Sequence, residues 1–413
     1  MGDDLSNAVR DDVGDDVLLA RAYLNRVAEA TCIPLWDFVR CEGPVAAAAA
    51  IRSSSEPQDL TAFVGARRHS ADPHADLVAA ERFGLRLVVP ESAEWPHFAL
   101  ACLEQTGLAR LAEYRAGKTV HDKNGERVPP LALWVRGPGK LRSLAVRSVA
   151  VVGARSSTPY GDQVAGELAY GLASKSFTVV SGGAYGIDGA AHRGALASGG
   201  ETVLVSAAGL DRVYPVAHEP LYRRVAESGL LVSESPPGSA PHRQRFLTRN
   251  RLISAFGTGT VVVESARRSG ARNTAIHGEK LGRPVMAVPG PVTSAMSVGN
   301  HALITEGTAQ LVTSVADVVS VIGSIGEQAT AEQAELPVDT RSARRHQLLD
   351  VLDSLDDTTR RVYEGLPARR PVSITDLVQT SGLPPSRVLG AVPVLLLHGL
   401  AEDTGEGVRR TRL

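Results

Sequence analysis

The segment SVAVVGARSSTPYG, residues 148–161, determines the architecture expected for this chain. Its first five residues predict a buried strand that ends at Gly153, and a helix with an apolar residue at every fourth position from Tyr160 to Leu172 follows. The small residues of the loop let the backbone approach an anion, the helix start offers N–H groups, and Arg155 adds a bidentate donor. The segment therefore predicts a strand, a loop suited to phosphate, and a helix.

The alternation of strand and helix continues along the chain as far as Val288. The strands predicted after Ser148–Val152 are Thr178–Ser181, Thr202–Ser206, Leu230–Ser233, Thr260–Glu264 and Val285–Val288. Nearly continuous apolar strands that alternate with helices are typical of a parallel sheet covered on both faces, so we expect an α/β fold. Ligands of such sheets bind outside the C-terminal ends of the strands.

Two further loops of the same kind follow predicted strands. One contains Ser181, Gly182, Gly183 and Gly186, and the other runs from Glu264 into the helix that contains Arg272. Turn and cap geometry alone favours Gly and Ser in any such loop. Three such loops at one edge of a sheet favour a binding site.

Cationic side chains concentrate in one short part of the chain. They are Arg243, Arg245, Arg249, Arg251, Arg267, Arg268, Arg272, Lys280 and Arg283. Phe246 lies just before Arg249, Asn250 and Arg251, and guanidinium groups beside an aromatic face can bind a nucleic-acid backbone and stack on a base. The alternative is a helix face that carries charge for solubility.

The net charge of the whole chain is -1, from 44 Lys and Arg against 45 Asp and Glu. That balance argues against a dedicated nucleic-acid binder, which usually carries a basic excess. The charges are unevenly distributed along the chain, because acidic residues concentrate in residues 3–16 and arginines concentrate between residues 243 and 283. Binding responds to the local field, so the local excess is the relevant quantity.

Composition and the N-terminus bear on location and on metal or redox chemistry. No stretch approaches the roughly 20 apolar residues of a membrane span, and the N-terminus is acidic where a secretory signal would be basic, so we expect a cytoplasmic protein. Cys32, Cys41 and Cys102 form neither a disulfide framework nor a zinc signature. We expect no metal and no cofactor.

Common enzyme motifs are missing from the sequence. The second strand ends in Ser181 and Gly182 where a dinucleotide site would need an acidic residue, and no P-loop, zinc-protease or nucleophile-elbow motif occurs. Asp188 and Glu264 are candidate acids or bases, but hydrogen bonds to loop amides explain them equally well.

A length of 413 residues predicts two or three domains. Helical spacing indicates an N-terminal helical domain over residues 1–125, with a short strand at Arg86–Pro90, and the alternating part covers 130–323. A linker is expected at 324–344. Three helices and a hairpin over 345–413 predict a winged helix.

The middle of the chain, residues 145–310, closely resembles the bacterial DNA-processing protein A family, DprA/Smf. The resemblance rests on Val151–Arg155, Tyr160–Gly161, Ser181–Asp188, Ala191–His192, Ala195–Leu196, Gly209–Asp211, Tyr214–Pro215, Ser233–Glu234, Phe246, Arg249–Arg251, Ser269–Gly270, Thr274–Ala275 and Pro289–Gly290. It implies a Rossmann-like core flanked by a sterile-alpha-motif-like helical domain and a C-terminal winged helix. It also implies a homodimer that binds single-stranded DNA and loads the RecA recombinase during natural transformation and recombination, without catalytic turnover.

The resemblance and the loops together define an expected DNA-binding set. Its members are Gly153, Arg155, Ser181, Gly182, Gly183, Gly186, Phe246, Arg249, Asn250, Arg251 and Arg272. Arg272 is a departure from the family pattern and is included as an extra phosphate contact. Two rival functions remain open: a nucleotide-processing enzyme similar to phosphoribohydrolases, and a transcription regulator whose winged helix reads duplex DNA.

Overall fold

The computed structural model describes residues 13–116, 127–322, 355–367, 370–397, 400–404 and 407–411. The chain divides into two compact units, Met1–Ala331 and Glu332–Leu413. Each unit has its own hydrophobic core and is described separately below.

A nine-stranded sheet organises the first unit. Its strands are β1 Arg86–Val88, β2 Leu133–Arg136, β3 Ser148–Val152, β4 Thr178–Ser181, β5 Thr202–Ser206, β6 Leu230–Ser233, β7 Thr260–Val262, β8 Val285–Ala287 and β9 Gln310–Leu311. Their order is β1-β2-β6-β5-β4-β3-β7-β8-β9. Strands β3 to β9 pair in parallel, whereas β2 pairs antiparallel with both β1 and β6.

Thirteen named α-helices pack around this sheet in the described part of the unit. They are α1 Asp15–Val27, α2 Ile33–Glu42, α3 Pro44–Arg52, α4 Gln58–Val64, α5 Pro73–Arg82, α6 His97–Arg115, α7 Leu141–Leu144, α8 Pro159–Ala173, α9 Ile187–Ala197, α10 Glu219–Ser228, α11 Arg243–Phe256, α12 Gly270–Lys280 and α13 Val298–Thr305. A short 3-10 helix, Val216–His218, precedes α10.

Both faces of the parallel sheet are covered, as the apolar strands predict. Successive residues of a strand point to opposite faces, so Val149 and Val151 of β3 join a core with α8 and α9. Ala150 and Val152 join the opposite core, which contains side chains of α6, α11 and α12. Helix α11 is thereby held against the sheet on the face opposite α8 and α9.

The strand order places a topological switch point between β3 and β7. From β3 the chain adds β4, β5 and β6 on one side, and it then crosses to add β7 and β8 on the other. The connections after β3 and β7 therefore diverge and leave a crevice at the C-terminal edge of the sheet.

The N-terminal part of the chain contributes to the sheet as well as to the helices around it. Strand β1 pairs with β2, and Trp134 on β2 donates its ring N–H to Asn25 on α1 at 2.9 Å. Helix α1 and strands β1 and β2 thus share one compact unit with the parallel strands, and a separate helical domain over residues 1–125 stays a prediction. Strand β2 had no sequence prediction, and the strand expected at Arg86–Pro90 ends at Val88.

Within its described residues, the second unit contains three helices and a two-stranded antiparallel sheet. They are α14 Asp357–Gly365, α15 Ile374–Ser381, α16 Pro385–Leu397, β10 Ala401–Asp403 and β11 Val408–Arg410. Val372 forms an additional bridge to Val408. This is the expected order of elements, while the winged-helix assignment stays a prediction. The linker predicted at 324–344 lies outside the described residues.

Candidate nucleic-acid interface

A cleft of about 1010 Å³ opens at the switch point of the sheet. The loop after β3 contributes residues 153–156, and the loop after β7 together with the first turn of α12 contributes Ala266 and residues 268–271. One face of α11 forms a further wall. The cleft therefore lies where ligands of open α/β sheets bind.

The loop after β3 brings Arg155 to the cleft. Gly153 is required there because a Cβ at this position would lie 2.7 Å from Cβ of Ile187 on α9. Arg155 is exposed, and its guanidinium carbon lies 4.9 Å from the centre of the Phe246 ring. That distance is within the range of a cation–π contact. The structure thus joins two of the residues that the sequence predicted for the site.

Helix α11 presents Phe246 and Asn250 to the cleft because residues four positions apart share a helix face. The Phe246 ring also contacts Tyr214, with 5.4 Å between ring centres. Asn250 donates to the side-chain oxygen of Asn273 on α12 at 2.9 Å, which ties the two helices together. This wall of the cleft combines partly exposed aromatic rings with amide groups.

The glycine loop after β4 supports the first loop more than it lines the cleft. Ser181 is fully buried and donates to the Val151 carbonyl at 2.6 Å, so it is not placed to contact a ligand. Gly183 and Gly186 have φ values of 70° and 72°, a region that favours glycine. A Cβ at Gly186 would also lie 2.7 Å from the carbonyl oxygen of Arg155, so the two loops pack backbone against backbone.

Arg249 lies at the floor of the cleft rather than on its open surface. Its side chain is buried and donates to the carbonyls of Gly182, at 2.7 Å, and Val205. Burial lowers the pKa of Arg249, opposed by the Asp188 carboxylate. Burial in turn raises the pKa of Asp188, opposed by Arg249. Arg249 thus holds the glycine loop after β4 to α11 through its hydrogen bond to the Gly182 carbonyl and its charge interaction with Asp188.

Arg251 does not lie in the cleft, which corrects its assignment as a DNA contact, and Arg272 does not line the cleft either. Arg251 is fully buried and pairs with Glu234 at 2.7 Å. It follows Phe246 by five positions, which places it about 140° around the helix. Arg272 pairs with Glu306 on α13 at 2.7 Å.

The helix starts of α8 and α12 differ in what their first turns contact. At α8, the buried Glu264 carboxylate accepts from the Thr158 backbone N–H at 2.9 Å and from its hydroxyl at 2.6 Å. This corrects the expectation that the start of α8 binds phosphate. At α12, Ser269 caps the helix by accepting from the Arg272 N–H, and Gly270 and Ala271 line the cleft.

Several cleft residues were outside the predicted set. Arg243, Arg268 and His242 are exposed at its rim, and Tyr214 and the first turn of α12 complete it. The arginines belong to the cationic segment recognised from sequence. The sequence could not place them at the rim, because it does not show which surfaces of the helix and the loop face the cleft.

The described residues contain no group of His, Cys, Asp and Glu side chains that could hold a metal ion. Within the same residues, no helix is both long and apolar enough to cross a bilayer. Cys32, Cys41 and Cys102 are all free thiols.

These features define the chain as a Rossmann-like α/β protein with a cationic, aromatic-lined cleft at its switch point. The family model for DNA recombination-mediator protein A matches residues 120–323. The chain is 46% identical to the putative DNA processing protein DprA of Mycobacterium tuberculosis over 388 residues, which cover 94% of this chain and 93% of that protein. The chain therefore belongs to the DprA family of DNA-processing recombination mediators.

Two solved structures are also similar to this chain. The crystal structure of DprA from Streptococcus pneumoniae aligns with a TM-score of 0.59 at 27% identity, and covers 74% of this chain and 98% of that one. A structure that describes the single-stranded DNA binding mode of DprA from Helicobacter pylori aligns with a TM-score of 0.43 at 31% identity, over 46% of this chain and 86% of that one.

Proposed function

We propose that this protein binds single-stranded DNA in the cleft at its switch point and acts as a recombination mediator. The observation that carries the proposal is the exposed Arg155 guanidinium above the Phe246 ring in that cleft. Cations that follow a backbone, together with rings on which bases stack, are the combination used for single strands.

The cleft offers separate partners for the two parts of a nucleotide. Arg155, Arg243 and Arg268 supply cations for phosphates, and the first turn of α12 adds the positive end of a helix dipole. Phe246 and Tyr214 supply aromatic faces for bases. Stacking tolerates any base, so this arrangement suits binding with little sequence preference.

A role without catalytic turnover is part of the proposal. Asp188 is buried against Arg249, and Glu264 accepts two hydrogen bonds from Thr158. Both carboxylates that the sequence offered as acid or base therefore have structural partners. This supports a binding protein over a nucleotide-processing enzyme.

The further steps are proposed from membership in the family. The protein would act in the cytoplasm as a homodimer and load RecA onto single-stranded DNA during transformation and recombination. The test is RecA filament assembly on DNA covered by single-strand-binding protein, followed with and without this chain. Equal assembly rates in the two reactions would contradict the loading step.

Replacement of Arg155 by Ala tests the DNA site directly. The substitution removes one phosphate contact and the cation above Phe246, so affinity for an oligonucleotide should fall. The slope of log K against log salt should decrease by about 0.7. Fluorescence anisotropy across salt concentrations measures both quantities, with Arg82→Ala on α5 as a matched exposed-arginine control. An Arg155→Ala variant with the affinity and slope of the wild type would contradict the site.

A further inference from the structure

A second aromatic pair, formed by Tyr185 and His218, lies at the same edge of the sheet as the cleft. Tyr185 belongs to the loop after β4, and His218 ends the short helix before α10. Their ring centres are 5.0 Å apart with an interplanar angle of 72°. Tyr185 is 48% exposed although its ring contacts His218, so its other side faces solvent.

The pair has a fixed geometry because both members are held by the backbone of the second glycine loop. His218 Nδ1 lies 3.0 Å from the Gly183 carbonyl oxygen and donates to it. Gly186, which follows Tyr185, packs against the Arg155 carbonyl. A preset aromatic surface loses little conformational freedom when a base stacks on it.

The pair is continuous with the cleft. Ala184 immediately precedes Tyr185 and lines the cleft, and Tyr214 lines it four residues before His218. The loops after β4 and β5 therefore each contribute one residue to the cleft and one to the pair. A strand that leaves the cleft over these loops reaches Tyr185 next.

A cation accompanies the pair, as Arg155 accompanies Phe246. Arg193 is exposed on α9, and its guanidinium lies beside His218. Both side chains approach the same point, the position that a Cβ at Gly189 would take: Nη1 of Arg193 lies 3.1 Å from it and Cε1 of His218 lies 2.9 Å from it. The surface next to the cleft thus repeats the pattern of an aromatic face beside a guanidinium. Guanidinium groups also lie over aromatic rings elsewhere in this chain, as Arg52 does over Tyr23. The Tyr185–His218 pair differs from these in its position beside the cleft, where single-strand sites combine rings with cations.

We propose that Tyr185 and His218 form a second base-stacking platform, with Arg193 binding the adjacent phosphate, so that single-stranded DNA extends from the cleft across the loops after β4 and β5. This inference rests on the proposed function. It assigns to the protein a binding path longer than the cleft itself.

The test compares Tyr185→Ala with Tyr185→Phe on oligothymidylates of increasing length. Short oligonucleotides occupy the cleft alone, so both variants should bind them like the wild type. On longer ones the Ala variant should bind about 5- to 150-fold more weakly, whereas the Phe variant should keep its affinity because the ring remains. Tyr170→Ala on α8, where a tyrosine is 51% exposed, is the matched control. Arg193→Gln should reduce the salt slope by about 0.7 on long oligonucleotides only.

Two results would overturn the platform. In one, Tyr185→Ala shows the length dependence of the wild type, and in the other Tyr185→Phe loses as much affinity as Tyr185→Ala. Either result leaves wild-type binding and the Arg155 effect intact, so it contradicts the platform alone. Failure of the proposed function would appear as absence of wild-type binding at every length.

Discussion

Arg251 shows how the surroundings of one side chain determine its role. Its guanidinium is fully buried against Glu234 at 2.7 Å. Burial raises the pKa of the Glu234 carboxyl, and the Arg251 charge opposes that rise. The backbone carbonyl of Glu234 accepts from Asn25 on α1, so the pair connects α11 and β6 to the N-terminal helices. Arg251 therefore stabilises the scaffold behind the cleft.

Replacement of Arg251 by Met should destabilise the protein while a folded sample still binds DNA. Removing one member of a buried ion pair leaves the other charge unpaired, at a cost of about 3–5 kcal/mol at neutral pH. Urea denaturation measures this loss, and anisotropy should give an oligonucleotide affinity like that of the wild type. Normal stability together with weakened DNA binding would restore Arg251 to the DNA site.

The same variant should have a characteristic pH dependence. A carboxyl whose folded pKa is raised binds protons more readily when folded, so its contribution to stability decreases as pH rises from the unfolded value of about 4.3 to the folded pKa. Without Arg251 the pKa of Glu234 rises further, and this window widens. The stability deficit of Arg251→Met should therefore be smallest at acidic pH and grow toward neutral pH. Addition of Glu234→Gln should recover part of the loss at neutral pH and flatten this trend.

The β4–α9 connection positions the β3 loop that carries Arg155. Gly186 combines a positive φ with close packing against the Arg155 carbonyl. Gly199, just beyond the other end of α9, has a φ of 74°, but a Cβ at this position would project into open space. Both glycines have a strained backbone conformation, but a Cβ would clash with neighbouring atoms at Gly186 alone of the two. A comparison of the two positions therefore distinguishes the effect of strain from that of the contact.

Gly186→Ala should lower both stability and DNA affinity, because the new methyl group displaces the loop that holds Arg155. Gly199→Ala is the matched control and should show only the strain of a left-handed alanine, about 1–2 kcal/mol, with unchanged affinity. Thermal denaturation and anisotropy distinguish the two. Equal effects of the two substitutions on DNA affinity would exclude a positioning role for the loop contact.

The six parallel strands from β3 to β8 could be predicted because each is a nearly continuous apolar run. Strand β2 could not, since its three buried residues lie between prolines and a glycine and have no period of their own. In the site, Gly153 and Arg155 were expected because loops at the ends of parallel strands converge. Phe246 and Asn250 on α11 were expected from the aromatic residue beside the arginines and from the family resemblance. The sequence could not show that Arg251 lies outside the site, because that depends on which face of α11 packs against the sheet.

Helix α1 joins the described N-terminal helices to the sheet because it takes part in two cores. Ala22 packs with β1, β2 and α10, whereas Tyr23 and Leu24 pack with α2, α3 and α4. Arg245 on α11 also pairs with Glu29, just beyond α1, at 3.0 Å. The N-terminal helices and the parallel sheet are therefore expected to unfold together.

The three tryptophans of the chain, Trp36, Trp95 and Trp134, test this cooperativity. A variant that retains only Trp36 reports on α2, and one that retains only Trp134 reports on the sheet. Their fluorescence should give coincident denaturation curves, as two-state unfolding requires. A Trp36 transition at lower denaturant would instead indicate an N-terminal domain that unfolds independently.

The Glu264 carboxylate at the start of α8 bears on competition from mononucleotides. A free nucleotide carries a multiply charged terminal phosphate. In this type of fold such a group binds the unpaired amides at the start of the helix that follows the first parallel strand, which is α8 after β3 in this chain. Here it meets the protein's own carboxylate, bound to Thr158. A phosphodiester within a polymer carries a single charge and can be bound at the rim by Arg155. We therefore expect free mononucleotides to compete weakly with single-stranded DNA for the cleft.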